Sequence, residues 1–148
     1  MNSTLAPKAP LNTDKTYTSD ELLGYFDSLE PVTSDFMLGQ WQGEVLLTGH
    51  PGESQLLGLK WVGKSFHAAN DVEPIISQNS AGERYTNPIL GTASLREVCF
   101  RGKCTATMVY DSHPIFDHFA KIDDNHVLGV MDKKGDTQYL FFTLARLP

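Results

Sequence analysis

The densest group of ionisable side chains in the sequence lies between residues 110 and 118. Its members, in chain order, are Tyr110, Asp111, Ser112, His113, Pro114, Asp117 and His118. A phenol, a carboxylate and an imidazole that lie together can exchange protons with a bound molecule, and burial shifts their pKa values toward that use. The alternative is a polar turn whose side chains bind the local backbone. We take Tyr110, Asp111 and His118 as candidate catalytic residues.

Glu97 is a fourth candidate, and a predicted hairpin sets its position. A two-residue turn at Arg101-Gly102 would pair residues 95–100 with residues 103–110. One face of this hairpin then carries Leu95, Glu97, Cys99, Cys104, Ala106, Met108 and Tyr110. A barrel requires that face inside, which makes Glu97 a carboxylate in an apolar cavity; the alternative is an exposed edge residue. The opposite face, with Arg96, Thr105 and Thr107, is expected to meet solvent.

The two cysteines, Cys99 and Cys104, are predicted to be free thiols. Directly opposed strand residues have Cβ atoms about 4.5–5.5 Å apart, whereas a disulfide needs about 3.5–4.5 Å. The N-terminus has no apolar segment typical of a secretory signal, so we expect a cytoplasmic protein, where thiols stay reduced. Neither cysteine lies in a Cys-x-x-Cys motif and no histidine spacing completes a zinc site, so no metal is predicted.

Apolar residues at alternating positions predict the strands that would hold these groups. Residues 35–48, 55–66, 71–78, 95–100, 103–110, 115–121, 126–131 and 138–147 are the predicted strands, with turns about every ten residues. Trp41 lies in the first and Trp61 in the second, each on the apolar face. This pattern predicts an all-β antiparallel barrel. A loose tail over residues 1–17 and a single domain over 18–148 complete the chain.

A short amphipathic helix precedes the first strand. Thr18 and Glu21 form a capping box, and Leu22, Phe26 and Leu29 follow at helical spacing. We expect this helix to cover an open end of the barrel.

The length and charge of the chain argue against some classes of binding partner. The chain has 148 residues, 41% of them hydrophobic, and a formal net charge of -6. An acidic chain without a basic run is not typical of a nucleic-acid-binding protein, and no apolar stretch approaches the ~20 residues of a membrane span. The predicted partner is a small hydrophobic molecule, and the chain could also pair with a second copy.

Five side chains are predicted to contact that molecule. They are Trp41, Trp61, Lys60, Met108 and Phe116. Plain core packing is the alternative for the two tryptophans. Lys60 and Lys64 lie on the face opposite Trp61, so solvated lysines are the alternative there; an inward lysine would attract an anionic or enolate group.

The segment Gly39-Gln40-Trp41-Gln42-Gly43 resembles the first strand of lipocalins and the other calycin barrels. In lipocalins an arginine near the end of the barrel stacks on this tryptophan, and the resemblance implies that Arg146 stacks on Trp41. Nitrobindin-like barrels begin with a similar strand and bind haem through a histidine, for which His118 and His126 would be the candidates.

A more extensive resemblance covers residues 22–147. Leu38–Gly43, Thr48–Pro51 and Trp61–Lys64 resemble the GXWXG family, and Phe100–Lys103, Met108–Asp111, Pro114–Phe119 and Val127–Asp132 resemble the domain of unknown function that follows it. The two halves span about 22–78 and 84–147. The resemblance implies a lipocalin-like barrel and no established activity.

Two functions remain open from the sequence. The first is an enzyme without a cofactor that isomerises or cyclises a small hydrophobic metabolite, with acid–base groups from Asp111, His118, Tyr110 or Glu97. The second is a carrier or sensor that performs no chemistry. An enzyme should bring at least two ionisable side chains to the ligand space, whereas a carrier needs one or none.

Overall fold

The computed structural model describes residues 11–148. In this part of the chain the strands are β1 (Glu30–Pro31), β2 (Gly39–Leu46), β3 (Trp61–Ala68), β4 (Asp71–Gln78), β5 (Arg84–Thr86), β6 (Ala93–Phe100), β7 (Lys103–Tyr110), β8 (Ile115–Asp123), β9 (His126–Lys133) and β10 (Leu140–Arg146). The α-helices are α1 (Ser19–Ser28), α2 (Ser34–Met37) and α3 (Gly52–Gly58), and a 3-10 turn covers Pro88–Leu90.

Eight of these strands close into one antiparallel barrel. The ring runs β2, β3, β4, β6, β7, β8, β9 and β10, and β10 closes it by pairing with β2. Strands β1 and β5 lie outside the ring and pair with β8 and β4. The predicted all-β antiparallel barrel with a short N-terminal helix is confirmed.

The barrel interior is apolar, and two glycines let the strands pack closely around it. Trp41, Met108 and Phe119 are fully buried in the interior cluster. A Cβ atom at Gly43 would lie 2.3 Å from the Trp61 ring, and one at Gly129 would lie 2.3 Å from the Phe142 ring. The absence of side chains at these positions therefore makes room for two large rings.

Helix α1 forms as predicted but lies elsewhere. The Thr18 hydroxyl accepts from the Glu21 N–H, and the Glu21 carboxylate accepts from the Thr18 N–H, which confirms the capping box. Its apolar stripe packs on the outer surface of the barrel, in a cluster with Leu128, Val130 and Phe141. The expectation that α1 covers a barrel end is wrong, because outward side chains of these strands are themselves apolar and need cover.

The prediction that one face of the hairpin of β6 and β7 meets solvent is wrong for two of its three residues. Thr105 and Thr107 are both fully buried, whereas Arg96 is exposed as expected. The Val32 N–H, in the segment that leaves α1, donates to the Thr105 hydroxyl at 2.9 Å. Chain from before the barrel thus shields an outward face that the strand pattern alone marks as polar.

Two other helices lie at opposite ends of β2 and hence of the barrel. Helix α2 precedes β2 and contributes Phe36 and Met37 to the interior cluster. Helix α3 follows β2 and occupies residues that we predicted as the start of a strand over 55–66. The prediction is therefore wrong for residues 55–60, and the strand begins only at Trp61. Lys60, just before it, adopts a positive φ of 55° that interrupts the extended backbone.

Part of the tail predicted for residues 1–17 lies outside the described residues. In the described part, the Tyr17 N–H donates to the Leu47 carbonyl at 2.8 Å, and Leu11 and Tyr17 pack beside the cluster under α1. Over residues 11–148, no helix is long and apolar enough to cross a membrane.

The cysteine prediction is also wrong, because the structure joins Cys99 to Cys104 by a disulfide. The two residues are directly opposed on β6 and β7. Their Cα atoms are 4.0 Å apart, closer than the about 4.5 Å typical of a non-hydrogen-bonded pair. The strands therefore approach more closely here than the average spacing on which we based the prediction.

Candidate active site

A cavity of about 590 Å³ lies inside the barrel at the end covered by α3. Most of its wall is apolar and includes Trp61, Ile75, Leu90, Ile115, Leu140 and Phe142. None of the residues of α3 is buried, although Leu56 packs against the interior cluster. The volume is in the range of pockets that hold small molecules.

One ion pair, Lys64 with Asp117, lies in the wall of this cavity. The Lys64 Nζ is 3.2 Å from the Asp117 Oδ2, and the exposed fractions of the two side chains are 3% and 2%. The Lys64 Nζ also donates to the Pro74 carbonyl at 3.1 Å. It lies 5.4 Å from the ring centroid of Trp61 and 5.2 Å from that of Phe142, distances at which a ring face attracts a cation.

Local backbone geometry brings the two charges inside. Asp117 lies between Ile115 and Phe119 on β8, so ordinary alternation turns all three inward, and Asp117 faces Met108 across the β7–β8 pair. Strand β3 is irregular, with register shifts against β4 on either side of Gly63. These shifts break strict alternation, and both Trp61 and Lys64 reach the cavity.

Burial dominates the electrostatics of the pair. Loss of water lowers the pKa of the Lys64 ammonium and raises the pKa of the Asp117 carboxyl, and the attraction between the two groups opposes both shifts. Burial therefore acts against both charges, and each group depends on the attraction of the other to stay ionised. A carboxylate whose pKa is raised by burial is a stronger base than an ordinary one, which suits general base catalysis.

Tyr110 is the third buried ionisable group on the cavity, whose wall also includes the partly exposed His113 and the exposed Lys133. Burial, followed by the nearby charge of Asp117, raises the pKa of its phenol well above the usual value. The phenol therefore keeps its proton and is available as a hydrogen-bond donor. The Lys64 Nζ lies 5.9 Å from the centroid of its ring, so the three groups share one region of the wall.

Two hydrogen-bonding positions of the ion pair are unfilled within the described residues. The Asp117 Oδ1 is buried and has no hydrogen-bond partner. The Lys64 ammonium has three N–H groups and donates to two protein acceptors, Asp117 and Pro74. A buried polar atom without a partner is costly, and the residue that carries it is part of the cavity wall.

Of the four residues predicted as catalytic, only Tyr110 borders the cavity. The exposed Asp111 accepts from the hydroxyls of Thr92 and Ser94 on the outside. Glu97 is exposed because β6 extends past the end of the interior, and it accepts from the Ser34 N–H. The prediction that Glu97 lies in the cavity is therefore wrong.

His118 is buried on the outer side of β8 rather than in the cavity. Its Nδ1 lies 2.9 Å from the Thr107 hydroxyl, and its ring stacks on that of Phe100 at 3.9 Å. Burial lowers its pKa, and the attraction of Asp132 opposes that shift. His126, the other histidine considered for haem, is half exposed and pairs with Asp123. Neither histidine reaches the cavity.

Of the five residues predicted to contact the ligand, one lies in the cavity wall. Trp61 borders the cavity, whereas Met108 is buried deeper in the interior. Phe116 is 37% exposed on the outer surface, because it alternates with Asp117. Lys60 is exposed, and the cavity wall does not include it.

Trp41 closes the other end of the barrel. Its indole N–H donates to the Met37 carbonyl at 2.8 Å, and the Arg146 guanidinium lies 4.3 Å from the centroid of its ring. The predicted stacking of Arg146 on Trp41 is confirmed. This places Trp41 away from the cavity wall, at the end where α2 lies.

The site residues predicted from the sequence did not include Lys64 or Asp117, although Asp117 belongs to the ionisable group at residues 110–118 and an inward lysine was considered. Alternation from Ile115 through Asp117 to Phe119 carries the signal for Asp117, but Pro114 obscured where that strand begins. For Lys64 no such signal exists, because strict alternation from Trp61 turns it outward and only the irregular backbone of β3 turns it in. Among residues 11–148 no cluster of three His, Cys, Asp or Glu side chains could hold a metal ion.

Comparison with known proteins assigns the chain to a family. The model of the GXWXG protein family matches residues 24–82, and that of a domain of unknown function, DUF4334, matches residues 91–146. The chain belongs to the GXWXG family. Among solved structures it is similar to a protein from Thermomonospora curvata, at 40% identity over 90% of each chain and with a TM-score of 0.86. No curated protein matches this GXWXG protein.

Proposed function

We propose that this protein binds a small hydrophobic molecule in the barrel cavity and isomerises or cyclises it by acid–base catalysis, without a cofactor. The observation that carries the proposal is the convergence of Lys64, Asp117 and Tyr110 on one apolar cavity. A carrier needs a single anchoring group, and a buried ion pair costs stability that plain binding does not repay.

The three groups suit complementary roles. Asp117 is part of the cavity wall, its Oδ1 has no hydrogen-bond partner, and the carboxylate can take a proton from the bound molecule. Lys64 and Tyr110 carry N–H and O–H donors that can stabilise the negative charge which then develops. The apolar wall excludes water, which strengthens each of these interactions and holds the substrate in a reactive shape.

Metabolite extracts provide the test. In a host strain that lacks the gene, we expect a compound to accumulate that the purified protein converts into an isomer of the same mass. The Asp117→Asn variant should bind this compound but not convert it, and Asp71→Asn, an exposed carboxylate at the start of β4, should convert it normally. Recovery of the compound unchanged from the wild-type protein would instead indicate a carrier.

A further inference from the structure

We infer that the substrate is an enolisable carbonyl compound, whose carbonyl oxygen binds between Lys64 and Tyr110 and whose α-carbon lies against Asp117. This inference rests on the proposed function and names its substrate class. It follows from the hydrogen-bonding positions that the protein leaves unfilled around the cavity, together with the charge of the site.

The unfilled positions select the polar group of the ligand. Lys64 has one N–H without a protein acceptor, and the Tyr110 hydroxyl lies on the same wall. Both are donors, so the complementary ligand atom is an acceptor that can take two hydrogen bonds, as a carbonyl oxygen does. The Asp117 carboxylate, in the same wall, is an acceptor with one oxygen unpartnered. Its complement is an acidic hydrogen on the carbon next to the ligand's carbonyl group.

The charge of the site selects a neutral ligand. Lys64 and Asp117 neutralise each other at 3.2 Å, and the other ionisable residues of the wall, His113 and Lys133, are not buried. A carboxylate or phosphate beside the buried pair would therefore bring an unbalanced charge into the apolar part of the cavity at high cost. A ketone brings none. Negative charge appears only after proton transfer, when the oxygen already lies beside the ammonium and the phenol, so the site favours the enolate over the bound ketone.

The chemical step balances within these groups. The Asp117 carboxylate takes the α-proton, the C–H electron pair forms the C=C bond, and the carbonyl π electrons move to oxygen. The resulting enolate is held by the Lys64 ammonium and the Tyr110 phenol. If a C=C bond lies next to the α-carbon, the enolate extends over it, and return of the proton from the Asp117 carboxyl to the far carbon of that bond isomerises the substrate. Attack of the α-carbon on a second carbonyl in the molecule, with the proton from Asp117 passing to the alkoxide that forms, cyclises it.

The test uses 4-phenylbutan-2-one, a hydrophobic ketone, and follows exchange of its α-protons with deuterium from D₂O by proton NMR. We expect wild-type protein to accelerate exchange, and Asp117→Asn to lose that acceleration by about 10²–10⁴-fold, the range of general acid–base catalysis. Tyr110→Phe keeps the shape of the side chain and should lose less, while binding of the ketone is retained. Asp71→Asn and Lys134→Met, both exposed, serve as matched controls and should exchange at the wild-type rate.

Binding in the same samples, measured by quenching of tryptophan fluorescence, separates the possible failures. If the ketone and the hydrocarbon butylbenzene bind equally and no α-proton exchanges, the carbonyl class is overturned while the cavity remains a binding site. If neither binds, the proposed function fails with it. If borohydride traps the ketone covalently on Lys64, that residue is a nucleophile, and the enolate step proposed here is wrong.

Discussion

Lys64 and Asp117 are each the main stabilising partner of the other's charge inside the barrel. Their separation of 3.2 Å and their nearly complete burial make each charge depend on the other. Buried pairs of this kind are seldom the most stable solution for a protein interior. We therefore interpret the pair as a functional element, for which the fold accepts a cost in stability.

Removal of one partner or both tests that interpretation. We expect Lys64→Met to lower the free energy of unfolding at neutral pH by about 3–5 kcal/mol, because it leaves an unpaired buried carboxylate. The double variant Lys64→Met, Asp117→Leu removes both charges and should match or exceed the wild-type stability. Urea unfolding gives both values. A single variant that loses less than about 1 kcal/mol would mean that water reaches Asp117.

Tyr25, on α1, gives a second prediction at the residue scale. Burial raises the pKa of its phenol to about 12, above the ordinary value of about 10. Between these values the unfolded chain releases the proton and the folded chain keeps it, so the free energy of unfolding falls as pH rises through this range. The shift corresponds to a fall of about 2–3 kcal/mol.

Unfolding in urea at a series of pH values above 9 measures this effect. Tyr25→Phe should show a smaller fall than wild type by about that amount. Tyr85→Phe is the control, because Tyr85 is 47% exposed. Equal slopes for wild type and Tyr25→Phe would show that α1 leaves the barrel before the phenol ionises.

Two glycines in this fold, Gly63 in β3 and Gly24 in α1, have very different surroundings. Strand β3 lies so close to β2 that a Cβ atom at Gly63 would be 2.0 Å from the Trp41 carbonyl oxygen. The same irregular stretch turns Lys64 toward the cavity. Helix α1, in contrast, contains Gly24, where a Cβ atom would meet nothing within 4 Å.

Substitution of these two glycines by alanine should therefore have opposite effects. Gly63→Ala forces the backbones of β2 and β3 apart and should destabilise the protein by about 1–3 kcal/mol or more. Gly24→Ala should stabilise it by about 0.5–1 kcal/mol, because alanine is the better helix former. Thermal and urea unfolding of both variants test the pair. A neutral Gly63→Ala would contradict the close approach of the strands.

At the scale of the whole molecule, neither family segment can close the barrel by itself. Strand β10 from the second segment pairs with β2 from the first over six residue pairs, Phe141–Arg146 with Leu46–Trp41. Strand β6 joins β4 at the other seam. The cavity also needs both segments, since Lys64 comes from the first and Asp117 from the second.

We accordingly predict that residues 1–82 and 83–148, expressed separately, do not fold into barrels. Each fragment would expose the edge strands of an open sheet, which favours aggregation or an unfolded chain. Far-UV circular dichroism and the dispersion of NMR amide signals measure the outcome, with the full chain as the control. A well-dispersed spectrum from either fragment would show two domains and contradict the single domain predicted for 18–148.

The sequence by itself determined the type of fold, helix α1 and most of the barrel strands. The alternation of apolar residues, the turn at Arg101-Gly102 and the capping box at Thr18 are local patterns, and each directly reflects local backbone geometry. The residues of the Gly-x-Trp-x-Gly strand also indicated the family, and with it the stacking of Arg146 on Trp41. These features need only neighbours in the chain or a shared motif.

Only the tertiary structure decided which polar groups meet in the cavity. Tyr110 borders it, but Glu97 and His118 do not, because strands extend past the interior or turn the side chain outward. Lys64 enters through an irregularity in β3 that alternation cannot predict. Its partner Asp117 lies 53 residues later in the chain and meets it at 3.2 Å only after the barrel closes. Closure of the ring, which depends on all eight strands together, therefore creates the candidate site.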